Sequence, residues 1–134
     1  MKVFLGGTCN DSTWREELIP MLDIDYFNPV VDDWDESCQA KERWERGHAD
    51  FCLYVITPKM AGVYSIAEVV EDSIKRPHRT VFLVLEKDGE QEFALGQMKS
   101  LGEVAKMVAR NGGHVCHDLE GTAVYLNTAG PSVL

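Results

Sequence analysis

Glu68 lies in the stretch GVYSIAEVVEDS, residues 62–73, and its spacing suits two different jobs. With Ser65 three residues ahead it completes a capping box, in which serine and glutamate satisfy each other's backbone donors at a helix start. Alternatively it is a held, ionised carboxylate, which is what a glycosidic nucleophile has to be. A helix N-terminus favours the charged form, so the spacing predicts an ionised Glu68 at neutral pH under either job. On pattern alone the cap is the commoner outcome. Tyr64 and Ser65, just before Glu68, could add a stacking ring and a hydroxyl.

Two other stretches hold residues of the right kind. In GGTCNDSTW, residues 6–14, glycines allow a ligand close to the backbone. Gly7 and Thr8 could contact a sugar or base, Asp11 supplies an acid, and Trp14 is either a stacking wall or a core anchor. The loop has neither the third glycine of a dinucleotide fingerprint nor the Gly-Lys-Ser/Thr of a Walker loop. In FNPVVDDW, residues 27–34, Asn28, Asp32, Asp33 and Trp34 read as a turn and helix start, or as an acid-flanked wall for a planar base. Arg15 is the nearby cation that could meet a phosphate. Asp50 precedes an apolar strand at its amino end and reads as a cap or turn residue. The four histidines show no ligand spacing. Cys9, Cys38, Cys52 and Cys116 form no Cys-x-x-Cys pair, so they read as reduced thiols, and neither metal nor cofactor is expected.

The elements that must position these residues alternate between two periodicities. KVFL at 2–5 and DYF at 25–27 are short strand candidates, and FCLYVIT at 51–57 and TVFLVLE at 80–86 are apolar enough for buried central strands. HVCHD at 114–118 offers a fifth. Between the first two lies a helical pattern with Leu18, Ile19 and Leu22, a second candidate capping box at Thr13 and Glu16, and Pro20 to kink or end it. Residues 35–48 predict a polar helix lying largely in solvent. From Gly62 a helix places Val63, Ile66, Ala67, Val70 and Ile74 on one face and stops by Pro77. KDGEQE is a turn-rich excursion, residues 96–110 predict a further helix, and LEGTAVYLN is a last short helix or an edge extension.

This order predicts one α/β domain over residues 1–134, a flavodoxin-like three-layer sandwich with a five-stranded, mostly parallel sheet. Ligands in such sheets bind beyond the carboxyl ends of the strands, near the point where strand order reverses. That rule selects the loops starting at Gly6, Asn28, Thr57 and Glu86. The formal charge of -9 argues against a nucleic-acid partner, whose phosphates it would repel, but leaves room for a nucleoside. The apolar runs are strand-sized, which predicts no membrane partner, and the direct entry from Met1-Lys2 into a strand predicts a cytoplasmic chain without a signal peptide.

Taken together, VFLGGTCNDSTWREELIP, YFNPVVDDW and ADFCLYVITPKMAGVYSIAEVVEDS closely resemble the nucleoside 2-deoxyribosyltransferase-like family, over most of residues 3–85. The resemblance implies a flavodoxin-like domain in which a glutamate after the third strand, here Glu68, attacks C1′ of a deoxynucleoside. The base departs, and a second base accepts the sugar from the resulting ester. It also implies a helping role for an aspartate before the third strand, matched by Asp50, and a homo-oligomer whose neighbouring subunit completes the site. Relatives carry a further aspartate just ahead of the nucleophile; here KMAGVYS offers no acid between Asp50 and Glu68. Asp11, Asp32 or Asp33 could stand in. The substrate expected is a small nucleoside or nucleotide. Alternatives are an N-glycoside hydrolase acting on a (deoxy)nucleoside or its monophosphate, and a binding module without efficient turnover.

Overall fold

The computed structural model describes residues 1–9, 11–30 and 35–129. Along the chain run β1 (Lys2–Gly7), α1 (Trp14–Leu18), β2 (Asp25–Phe27), α2 (Glu36–His48), β3 (Phe51–Ile56), α3 (Tyr64–Lys75) and β4 (Thr80–Val84). A hairpin of β5 (Lys87–Asp88) and β6 (Gln91–Glu92) follows, then α4 (Leu95–Arg110), β7 (His114–Cys116) and α5 (Leu119–Thr128). Five strands form one sheet in the order β2-β1-β3-β4-β7, every neighbouring pair parallel. With helices on both faces this is the expected flavodoxin-like sandwich.

Alternation along the strands builds two cores. Val3, Leu5, Leu53, Val55, Val81 and Leu83 point to one face, where Trp14 and Leu18 of α1 and Ala123 and Leu126 of α5 cover them. Phe4, Cys52, Tyr54, Ile56 and Phe82 point to the other, against Val69 of α3 and Leu101 and Val108 of α4. β3 is buried at every residue, which is why its sequence shows no polar alternation.

Several local expectations are corrected. Pro20 does end α1, which stops at Leu18 and runs on as a 3-10 turn over Ile19–Met21. Thr13 occupies the N-cap of α1, but its side chain makes no cap bond. The N-cap of α3 is Val63, so Ser65 is inside the helix and Glu68 lies in its second turn; no capping box forms there. The buried face of α3 is also rotated from the expected one. Val69, Asp72 and Ser73 are fully buried, whereas Val63 is 68% and Ile74 65% exposed. The buried carboxylate of Asp72, supported by neighbours described below, replaces an apolar side chain on that face.

No helix among the described residues is long and apolar enough to cross a membrane.

Candidate functional site

The chain leaves β1 to form β2 on one side, then returns past β1 to form β3 on the other. Strand order therefore reverses between β1 and β3, and their carboxyl ends open a crevice. Gly7 closes β1 with φ 115, and a Cβ there would stand 2.1 Å from the carbonyl oxygen of Val55. Only glycine lets the first loop press so close to β3. Thr8 continues the contact: its amide donates to Val55 O at 2.9 Å, and its Oγ1 accepts from the amide of Thr57 at 3.0 Å.

Beneath this loop lie Trp14 and Arg15. The indole Nε1 of Trp14 donates to Thr8 O at 2.9 Å, and its ring is 1% exposed. Trp14 is thus the core anchor and not a stacking wall. Arg15, 3% exposed, donates from Nε and Nη2 to Leu5 O and from Nη1 to Thr8 O, at 3.1, 3.0 and 2.7 Å. Burial pushes its pKa down, while nearby Cys9, Glu16 and Glu42 support the charge. Those donors serve the end of β1 and make Arg15 a frame for the loop, while its side chain also lines the cavity that reaches Glu68.

Glu68 faces the crevice from α3, its side chain 15% exposed and Oε2 3.6 Å from Nε of Arg46 on α2. Burial raises its pKa, Arg46 opposes this, and Glu42, Asp72 and Glu71 add to the rise. The charged form is supported by a guanidinium and not, as expected, by the helix end, and burial still raises the pKa on balance. Arg46 is itself fixed from below. Its Nε donates to the Tyr54 hydroxyl at 2.8 Å, and its Nη2 to Asp72 Oδ1 at 3.0 Å. Asp72, 1% exposed, also receives Arg76 Nη2 at 2.7 Å and the Tyr54 hydroxyl. Opposed burial and attraction leave the Arg46 pKa raised, since Tyr54, Asp72 and Glu68 outweigh the desolvation.

Three cavities adjoin here, two of them lined by Glu68 itself. One of about 200 Å³ lies between the loops, against Gly7, Thr8, Cys9 and Met60, Ala61, Gly62. A second, about 290 Å³, runs from Gly6 and Gly7 past Pro29, Val30 and Glu42 to Glu68. A third, about 330 Å³, is bounded by Gln39, Glu42, Arg43, Arg46 and Glu68. Tyr64 lines all three, 74% exposed. Ser65 lines the first two.

The structure thus brings together Gly7, Thr8, Tyr64, Ser65 and Glu68. Asn28 lies at the edge, its side chain accepting from the amide of Val30 at 3.1 Å. Asp11 is exposed at φ 55 and lines none of these cavities. Asp32, Asp33 and Trp34 lie outside the described residues. Asp50 lines none of the three cavities. Its Oδ2 accepts from the amide of Lys2 at 2.8 Å, tying β3 to β1 at the amino edge of the sheet.

Sequence reasoning missed Glu42, Arg46 and Asp72. Glu42 and Arg46 stand four apart on α2, and Glu68 and Asp72 four apart on α3, so each pair shares a helix face. That double spacing was the available signal.

The model of the nucleoside 2-deoxyribosyltransferase-like family matches residues 1–88, two thirds of the chain. The chain belongs to that family. Neither a curated protein nor a solved structure matches it. The matched stretch of this nucleoside 2-deoxyribosyltransferase-like protein contains every residue lining the three cavities, and it ends at Asp88 on the hairpin.

Proposed function

We propose that the protein transfers a 2-deoxyribosyl group between nucleobases through an ester on Glu68. The observation that carries this reading is the placement of Glu68: a mostly buried carboxylate, beside a cation, opening onto cavities at the β1/β3 switch point of a family member. The combined space suits a nucleoside, and such crevices are where parallel sheets bind ligands.

In the first half-reaction a Glu68 carboxylate oxygen attacks C1′. The C1′–N bond breaks, its electron pair goes to the base, and the base leaves protonated. In the second half, a nitrogen of the incoming base attacks C1′, the ester bond breaks, and the Glu68 carboxylate is restored. Two displacements retain configuration at C1′. Glu42 takes the role for which no acid precedes Glu68 in the chain. It shares two cavities with Glu68, so it can give a proton to the departing base and recover one from the acceptor. Tyr64 offers a face for the base, and Gly7 lets the sugar approach the first loop, which Thr8 pins to β3. Asp50, at the far edge, supports folding in this scheme.

The homo-oligomer belongs to the same reading. Val63 and Tyr64, 68% and 74% exposed at the mouth, form an apolar rim that a second subunit would cover.

The test is base exchange. Purified protein is incubated with a panel of 2′-deoxynucleosides and a free acceptor base, and the products are separated by chromatography. Exchange is expected with wild type, reduced at least about a thousandfold in Glu68→Gln. Glu42→Gln is expected to lose about a hundredfold, the scale of one general acid. Base release without exchange makes the protein a hydrolase. Substrates bound yet left intact by wild type remove the transfer reading and leave a binding module.

A further inference from the structure

We infer that Asp88, on the β5–β6 hairpin, is a positioning residue that latches together the two loops walling the cavity at the β1/β3 crevice. Three segments distant in sequence meet at one carboxylate. Ser12, in the loop after β1, donates its hydroxyl to Asp88 Oδ2 at 2.6 Å. Lys59, in the loop after β3, holds its Nζ 3.8 Å from Asp88 Oδ1. The same ammonium donates to Asp11 O at 3.2 Å, which joins the two loops directly. Asp88 is shielded, its side chain 11% exposed, so water competes poorly for these contacts.

The hairpin suits the task because its base is fixed. The amide of Leu85 donates to Ile56 O at 2.9 Å, the amide of Phe93 donates to Glu86 O at 3.0 Å, and Phe93 is 6% exposed within the second core. The tip turns at Gly89, whose φ of 63 suits the first central position of a tight hairpin turn. The hairpin is therefore a short arm rooted in the core that presents Asp88 to the loops.

What it holds needs holding. Asp11 stands at φ 55, a left-handed conformation that a non-glycine residue adopts only at a cost. Gly7, Thr8 and Cys9 on one side and Met60, Ala61 and Gly62 on the other bound the same cavity. Loops that wall a site belong to the less stable parts of a fold unless they are tied down. Fixing both loops before substrate arrives lowers the ordering cost of binding. The latch itself stands on geometry; only its consequence for substrate rests on the deoxynucleoside reading.

Amide hydrogen exchange tests it on the intact chain. The reporters are the amides of Thr8, Lys59 and Met60, bonded respectively to Val55 O, Thr57 Oγ1 and Thr57 O. Asp88→Ala is expected to speed exchange at all three by about tenfold or more, with β3 and β4 unchanged. Asp88→Asn, which keeps an acceptor for Ser12 but drops the charge facing Lys59, is expected to fall between. If base exchange occurs, Asp88→Ala raises KM at least about fivefold with kcat within about twofold, the pattern of lost preorganisation. Loop amides unchanged in Asp88→Ala, or exchange accelerated equally through β3 and β4, overturn the latch. A wild type that turns over no deoxynucleoside defeats the functional reading, and the exchange comparison still decides the latch.

Discussion

Glu68 is set between two opposed forces. Removal from water favours its neutral form, and Arg46 favours its charge. In the proposed transfer Glu68 acts as nucleophile, which needs the charged form, and the guanidinium 3.6 Å away is the neighbour that favours it. The sign follows for pH. Protonated Glu68 cannot attack, so the rising limb of the activity profile reports its loss of a proton. Arg46→Met removes the opposing cation and moves that limb to higher pH, whereas Arg46→Lys keeps it closer to wild type. Arg46→Met also costs stability, about 3 kcal/mol, because Asp72 loses one of its two cationic partners. Rate profiles and chemical unfolding check both parts; an unmoved limb in Arg46→Met removes Arg46 from the account. Glu68 was legible in the sequence as a motif residue, but Arg46 was not. Its helix is polar nearly all round, so only its spacing of four from Glu42 could have marked it among the other cations there.

At the scale of elements, the crevice depends on how tightly the first loop packs on β3. Gly7→Ala sets a Cβ against Val55 O at 2.1 Å in a backbone conformation that alanine avoids. A loss of at least about 4 kcal/mol is expected, read as a fall in the denaturant midpoint, because neither backbone can yield without breaking the β1–β3 pairing. A variant as stable as wild type would mean that the loop relaxes freely. The buried strands were legible because a parallel strand covered on both faces reads as continuous apolar sequence. The start of α3 was not. Ser65 and Glu68 have capping-box spacing, yet the N-cap lies two residues earlier, at Val63, whose side chain makes no cap bond. The buried face of α3 was misjudged for a related reason: periodicity counts apolar residues, and this face is completed by Asp72 and Ser73. By contrast, Asp35 and Asp118 do cap α2 and α5, accepting from the amides of Cys38 and Gly121 at 2.9 and 2.6 Å.

For the whole molecule, topology decides which residues can work together. Asp50 and Glu68 flank the same strand-loop-helix passage in sequence, yet the Asp50 carboxylate binds the Lys2 amide at the start of β1 and lines neither of the cavities that Glu68 lines. Glu42 and Glu68 belong to separate helices and share two cavities. The family match stops at Asp88, yet β7 pairs with β4 and α5 covers the first core, so the last third of the chain closes the sheet that holds the site. The most direct test of the central claim is intact-mass and peptide analysis of protein quenched during turnover of a 2′-deoxynucleoside. A deoxyribosyl adduct mapped to Glu68 and absent from Glu68→Gln is the expected result. An adduct on another residue, or base exchange equally rapid in Glu68→Gln, would contradict it.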